Sequence, residues 1–192
     1  SHVAPNKLER KFKDGNPNQI FLTDITYLTY DMNKRAYLSG IKDGVTNEIH
    51  AYQVSASLDI EFVEDTMSQL ETIQLDPNAL INSDQGSHYT SHAFQRCVKT
   101  LGIEQSMSRR GNCWDNAPIE SFFGHMKDEI NIIDCKTFKE VEKAIDDYMD
   151  YYNNYRYQWN LKRMSPKAYG DKLRNKAYKN GRSILEQPSS LN

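Results

Sequence analysis

Three carboxylates and a lysine stand out by residue type and spacing. Asp24 lies inside the strand-like run Ile20–Leu28, where strand interiors disfavour aspartate. Asp84 follows the short apolar run Ala79–Ile81, at the carboxyl end of a predicted buried strand, where ligand sites gather in sheets with parallel strands. Glu120 stands just inside a predicted helix that Pro118 opens and Asn116 is placed to cap. Between Asp84 and Glu120 lie 35 residues. Lys127 comes two helical turns after Glu120, on the same face.

Such a set suits phosphodiester chemistry. Breaking or exchanging a phosphodiester needs an activated oxygen nucleophile, a stabilised leaving oxygen and neutralised phosphate charge. Two Mg²⁺ ions about 3.5–4 Å apart meet all three needs. Mg²⁺ prefers oxygen ligands and keeps several waters, so one bridging carboxylate and one further carboxylate per ion suffice. Singly, each residue also has a plain reading: Asp24 as a hydrogen-bonded buried Asp, Asp84 as a turn residue of SDQG, Glu120 as a first-turn acid favoured by the helix dipole. Together, in this order of elements, they point to a site.

Basic and aromatic residues surround these positions. Arg109 and Arg110 precede a turn-forming run of Gly111, Asn112, Asp115 and Asn116 that also holds Trp114. The arginines are candidates to guide a DNA backbone, with solvated loop charge as the alternative. Trp114 is a candidate to stack on a base, with packing as the alternative. Net charge is only −2, but residues 156–182 carry nine Lys and Arg against Asp171, a local +8, while residues 59–76 hold six acids and no base. That segregation predicts a basic face and an acidic far side. Tyr155, Arg156 and Trp159 are further candidates for DNA contact; for Trp159 packing beneath the last helix is the favoured reading. The same preference for satisfied polar roles holds for His88, His92 and His125, because Mg²⁺ sites favour oxygen.

The elements that must position these residues follow from periodicity. The 192 residues suffice for one full-sized domain, and 38% hydrophobic with 26% charged content fits a globular chain. No apolar run approaches the roughly 20 residues that span a membrane, so no membrane partner is expected. Cys97, Cys113 and Cys135 form no CxxC pair, which argues against a zinc knuckle or a disulfide framework and fits a reducing compartment. Residues 1–19 read as a linker or arm, and the start at Ser1-His2 suggests a segment cut from a longer protein. Ile20–Leu28, Ala36–Lys42 and Glu48–Val54 predict an antiparallel meander of three strands. Residues 58–74 shift to helical period, Ala79–Ile81 is a short strand, Ser91 caps a helix that Gly102 closes, and Ile103–Met107 is a fifth strand. After the Glu120 helix, Thr137 and Glu140 form a capping box for a helix to about Asn154, and Ser165-Pro166 opens a short last helix. The order β-β-β-α-β-α-β-α-α predicts an α/β fold, a mixed sheet with helices on its faces. The catalytic core is expected over residues 20–178, including the basic C-terminal helices, with a loose tail at 179–192.

On its motifs the chain resembles the catalytic core of insertion-sequence transposases of the IS-three type. The motifs are DITYL at Asp24–Leu28, SDQGSHYTS at Ser83–Ser91, SMSRRGNCWDNAPIESFFGHMKDE at Ser106–Glu129 and YYNNYRYQWNLKRMSP at Tyr151–Pro166. The resemblance implies a ribonuclease-H-like fold, a five-stranded mixed sheet with helices on both faces, shared with retroviral integrases. It implies the catalytic and metal-binding triad Asp24, Asp84 and Glu120, with Asp24 bridging two Mg²⁺ ions for which Mn²⁺ substitutes. Lys127 would contact a phosphate near the scissile one, and Arg109, Arg110, Trp114 and Arg156 would contact DNA. The implied activity is nicking at an element end to free a 3′-OH, which then attacks another phosphodiester without ATP or a covalent protein intermediate. Double-stranded DNA is the implied partner, at element ends and target. A homodimer or higher assembly is implied in the DNA complex, in the bacterial cytoplasm and on the nucleoid. The sequence departs from the family pattern at Phe21, Asn82, His88 and Gln158, none of them a proposed metal ligand. Three readings compete: a stand-alone ribonuclease H or junction nuclease, a non-catalytic, host-adopted DNA-binding or assembly module, and a purely structural dimerisation domain, which leaves Asp24 in the first strand unexplained. The first does not account for the basic tail. The second should have lost a carboxylate.

Overall fold

The structure, a computed structural model, describes residues 3–109, 111 and 113–185. Strands β1 (Ile20–Tyr30), β2 (Lys34–Asp43) and β3 (Ile49–Ser55) form the antiparallel meander, and β4 (Leu80–Ser83) and β5 (Glu104–Met107) add in parallel on the other edge of β1. The five-stranded order is β3-β2-β1-β4-β5.

Alternation along the strands divides the core in two. Ile20, Leu22, Leu28, Ala36 and Leu38 face one side, against α3 (Ala117–Glu129) and α4 (Phe138–Asn154). Phe21, Ile41, Ala51 and Ile81 face the other, against α1 (Ile60–Ser68) and α2 (His92–Leu101). Both faces of a sheet with parallel strands are thereby covered, as burial of such strands requires. The order of elements predicted this mixed sheet with helices on its faces, and the resemblance implied its ribonuclease-H-like form.

Helix ends follow the expected chemistry with two exceptions. Asp59 caps α1 through Phe62 N–H, Ser91 caps α2 through Phe94 N–H, and Gly102 closes α2 in the left-handed region. The capping box of α4 is half formed: Thr137 accepts from Glu140 N–H, while the Glu140 carboxylate takes the Lys136 N–H. Asn116 stands at the N-cap of α3 but makes no side-chain cap bond, because its amide is used elsewhere. The apolar stripe of residues 58–74 ends early, α1 giving way to a 3₁₀ turn at Gln69–Thr72.

Both termini hold more structure than the sequence suggested. Ala4 and Leu8 are buried, and Ser106 Oγ accepts from the N–H groups of Lys7 and Leu8. The expected short last helix is α5, a 20-residue helix over Pro166–Leu185 that runs past the expected boundary at 178. The remainder of the expected tail, 186–192, lies outside the described residues.

Candidate active site

The sheet register brings the first two carboxylates level. Ile20, Phe21 and Leu22 pair with Leu80, Ile81 and Asn82, and continuing that register by two residues sets Asp24 beside Asp84. On the other edge of β1, Asp24 pairs with Gly40. Phe123 and Ile119 of α3 pack over Gly40, within 3.4 and 3.9 Å of where a Cβ would lie, so α3 rests directly on this point of β2. That approach brings Glu120, in the first turn of α3, toward the strand that carries Asp24.

Electrostatics record the convergence. Burial pushes the Asp24 carboxyl up to about 7, and the Asp84 and Glu120 charges push the same way against one N–H bond from Ile25 at 2.8 Å. Burial and the Asp84 charge also raise Glu120. Asp24 and Asp84 line a 230 Å³ cleft with Tyr27, His88 and Tyr89. Asp84 is held by its loop, its Oδ1 accepting from Gly86 N–H at 2.8 Å. A Cβ on Gly86 would lie 2.9 Å from that oxygen. His88, in the cleft lining, has its Nε2 3.3 Å from the Leu58 carbonyl oxygen.

A buried amide network ties the three carboxylate-bearing elements together. Asn82, two residues before Asp84, is fully buried and donates to the Asp115 carbonyl at 3.0 Å and to Ser108 Oγ at 3.2 Å, with Asn116 Oδ1 at 3.4 Å. Its Oδ1 accepts from Ser106 Oγ at 2.9 Å. Asn116 donates to the Thr23 carbonyl at 3.1 Å. One chain of bonds thus runs from β4 through the start of α3 to the residue before Asp24. Sequence reasoning noted Asn82 only as a departure from a family pattern. A polar residue in the buried strand LINS was the signal that it has internal partners.

The basic residues are placed unequally. Lys127 lies with its Nζ 4.9 Å from the Tyr27 ring centroid, and burial lowers its pKa. Arg109 is paired: its Nε and a terminal nitrogen donate to Asp115 at 2.9 and 3.0 Å, and its backbone N–H donates to the same carboxylate. Arg10 and Asn6 complete the ring around Asp115, whose side chain is 2% exposed. These donors, Arg109 first, hold the Asp115 carboxyl well below the usual range against the cost of burial. Arg156 forks onto Glu129. Arg110 lies outside the described residues. Trp114 is 68% exposed and Trp159 80% exposed, so the packing role favoured for Trp159 is not what the fold shows.

A second acidic cluster lies away from this site. Among the described residues, Asp43, Glu48 and His50 form the group of three whose ligand atoms all lie within 4.8 Å of one another; Asp24, Asp84 and Glu120 are more widely spread. Its carboxylates already have partners. Asp43 accepts from the N–H groups of Asn18, Val45 and Thr46, and Glu48 takes both guanidinium edges of Arg174. The cluster staples the β2–β3 turn to α5.

Comparison with known proteins fits this geometry. The family model of the integrase core domain matches residues 14–113, and a second integrase core model matches 120–173. The chain belongs to the integrase core family. It is 40% identical over 174 residues to an uncharacterized transposase-like protein of Haemophilus influenzae, covering 88% of this chain and 78% of that one. It is 36% identical to the putative transposase InsK for insertion sequence element IS150 of Escherichia coli, covering 92% of this chain and 61% of the relative. It is also 35% identical to the IS600 uncharacterized 31 kDa protein of Shigella sonnei, covering 88% of this chain and 63% of that protein. The HTLV-2 integrase catalytic core, solved in complex with magnesium, superposes with a TM-score of 0.65 at 18% identity, over 81% of this chain and 97% of that one. The BIV integrase core gives 0.62 at 16% identity, over 84% and 99%.

Proposed function

We propose that this chain is the catalytic core of a DNA transposase, which nicks DNA at an element end and transfers the freed 3′-OH to a second phosphodiester. The observation that supports the reading is that the β1–β4 register, continued by two residues, sets Asp84 beside Asp24, while Glu120 starts the helix packed on β1; burial first, and the Asp84 and Glu120 charges after it, raise Asp24.

The donor set fits Mg²⁺: three carboxylates supply only oxygen, and a cation among them would offset the burial, and the smaller repulsion, that raise the Asp24 carboxyl to about 7. Asp24, Asp84 and Glu120 would hold the divalent metal between them. Bound ions would supply charge neutralisation at the phosphate and a more acidic nucleophile.

The chain's own residues then do the rest. In the first step water adds to the phosphorus and the bond to the 3′ oxygen breaks, leaving 3′-OH and 5′-phosphate ends. In the second the 3′-OH adds to another phosphodiester, so one P–O bond forms as one breaks and no ATP is needed. Lys127, steadied over Tyr27, contacts a phosphate beside the reacting one. Arg109, 60% exposed although paired with Asp115, presents its outer edge to the DNA backbone, and Trp114 stands beside it on the same loop. Arg156 serves first as the partner of Glu129. Element ends and target are the DNA substrates, joined within a dimer or higher assembly in the bacterial cytoplasm. We assign residues 20–178 to the core, braced by residues 3–19. No described helix is long and apolar enough to cross a membrane.

The test is cleavage and strand transfer on labelled element-end DNA with Mg²⁺ or Mn²⁺, in a chain that carries the element's end-binding segment. Loss of both steps in Glu120→Gln, with DNA binding retained, supports the reading. Equal activity in wild type and Glu120→Gln sinks it.

A further inference from the structure

A cavity larger than the carboxylate cleft lies on the other side of α3 among the described residues. It is a 1340 Å³ groove between α3, α4 and residues 156–160. Helix α3 presents two faces: Glu120 and Lys127 toward the candidate active site, and Pro118, Phe122 and His125 toward the groove. The groove exceeds the roughly 300–1,000 Å³ of a small-molecule pocket and is open, which suits a stretch of polymer better than a metabolite.

Its chemistry selects the polymer. Lys42 lies in the groove wall, on the β2 row that otherwise holds Ala36, Leu38 and Gly40. It is nearly fully buried, yet its ammonium has one hydrogen bond, to the Pro118 carbonyl at 3.0 Å, and no carboxylate within ion-pair distance among the described residues. The Lys13 and Arg156 charges add to the cost of burial, and its pKa falls to about 7. Lys13, also in the wall, is bonded only to neutral oxygens, Asn47 Oδ1 and the Val45 carbonyl. Two acids also line the groove, but Glu129 is taken by Arg156 and Asp147 by Lys143, and Asp43 acts on both amines only through its charge, so neither amine has an anion bonded to it. Aromatic faces stand free at the mouth: Tyr157 is 75% and Trp159 80% exposed, with half-exposed Tyr151 beside them. Arg163 lies over one face of the Trp159 ring, 4.5 Å from its centroid, which leaves the other face for a base. Exposed aromatic rings beside unpaired cations form the combination that binds unpaired nucleotides, bases on rings and phosphates on amines.

We propose that this groove binds a single-stranded segment of DNA, phosphates toward Lys42 and Lys13 and bases against Tyr157 and Trp159. The choice of DNA rests on the proposed transposase function, in which strands near a cut end lose their partner. A groove on the flank of the helix that carries Glu120 would hold such a strand clear of the reacting phosphodiester.

The test is fluorescence anisotropy of a labelled single-stranded dodecamer in EDTA, against the same sequence as a duplex. The absence of divalent metal separates groove binding from catalysis. The expected result is a single-strand preference in wild type and in Glu120→Gln. Trp159→Ala and Tyr157→Ala should each weaken single-strand binding at least fivefold, with duplex binding unchanged. Lys42→Met should do the same, and the exposed aromatic variants carry the test should the lysine variant fold poorly. Three outcomes overturn the proposal: no single-strand preference, groove variants that bind like wild type, or a poly-glutamate peptide displacing wild type more strongly than the oligonucleotide. A loss of self-association in Trp159→Ala by sedimentation, with DNA binding intact, would instead assign the groove to a second copy. Failure of metal-dependent cleavage alone bears on the proposed function and leaves these results standing.

Discussion

Asn116 donates its side-chain amide to the carbonyl oxygen of Thr23 at 3.1 Å, so the residue before Asp24 and the residue before α3 are joined directly. An Asn at a helix start ordinarily caps the helix. Here the amide reaches into the sheet and fixes where Glu120 stands relative to β1. Asn82 completes the link to Asp84 through the Asp115 carbonyl and Asn116 Oδ1.

Removing this link should loosen the site before it unfolds the protein. Asn82→Ala strands the Asp115 carbonyl and Ser106 Oγ without their partner, and should cost about 1–3 kcal/mol in urea unfolding. Asn116→Ala should cost less, since only the Thr23 carbonyl is left bare. Both should reduce cleavage more than DNA binding. Wild-type stability in Asn82→Ala would remove the network from the account.

The crowding of Asp24 predicts a gain in stability on its removal. Its carboxyl lies near 3.8 unfolded and about 7 folded, so the folded state binds the extra proton between those values. Without metal, stability should therefore fall as pH rises from about 4 to 7 and then level off. Asp24→Asn should abolish that fall and melt higher than wild type at pH 8, within a ceiling of ~4 kcal/mol. Added Mn²⁺ should stabilise wild type but not the variant. Thermal melts at pH 5 and 8 check both signs.

Asp115 predicts the opposite pH response. Its folded pKa is depressed by Arg109 and Arg10, so its stabilisation is complete above the unfolded carboxylate value and is lost as pH falls below about 4. Asp115→Asn should cost about 2–3 kcal/mol at pH 7. The difference from wild type should shrink in acid. The same variant frees Arg109 and releases the segment around Arg10, so proteolysis near residues 6–13 should quicken.

Gly86 supports Asp84 from the loop. Gly86→Ala puts a methyl group 2.9 Å from Asp84 Oδ1, which must move. The fold should survive, since the loop is open to solvent, while metal affinity falls about tenfold or more, as when the support of a ligand is removed. Calorimetric titration with Mn²⁺ checks this. Unchanged affinity would show that Asp84 does not depend on its loop.

Much of the architecture was legible because period and punctuation agreed. The meander read from three strand-like runs at Ile20–Leu28, Ala36–Lys42 and Glu48–Val54, and the caps at Ser91 and Gly102 read from residue type. What stayed hidden depended on partners distant in sequence. Arg156 looked free for DNA, but Glu129 lies 27 residues upstream, and Arg109 finds Asp115 only because the loop folds back. The arm at 1–19 looked weakly anchored because its partners are distant in sequence: Asn6 and Arg10 reach Asp115, Lys13 reaches Asn47, and the Lys7 and Leu8 N–H groups reach Ser106. Helix α5 looked short because its surface is largely charged and Arg174, pinned to Glu48, does part of the docking that an apolar stripe normally does. Gly40 gave no sign of its role until its register against Asp24 was known.

The account rests on where a divalent ion binds, and anomalous scattering from a crystal soaked in Mn²⁺ reads that directly. It predicts manganese between Asp24 and Asp84, with a second site reaching Glu120, and no manganese at Asp43, Glu48 and His50. Manganese confined to that second cluster, with the first three carboxylates bare, would contradict it.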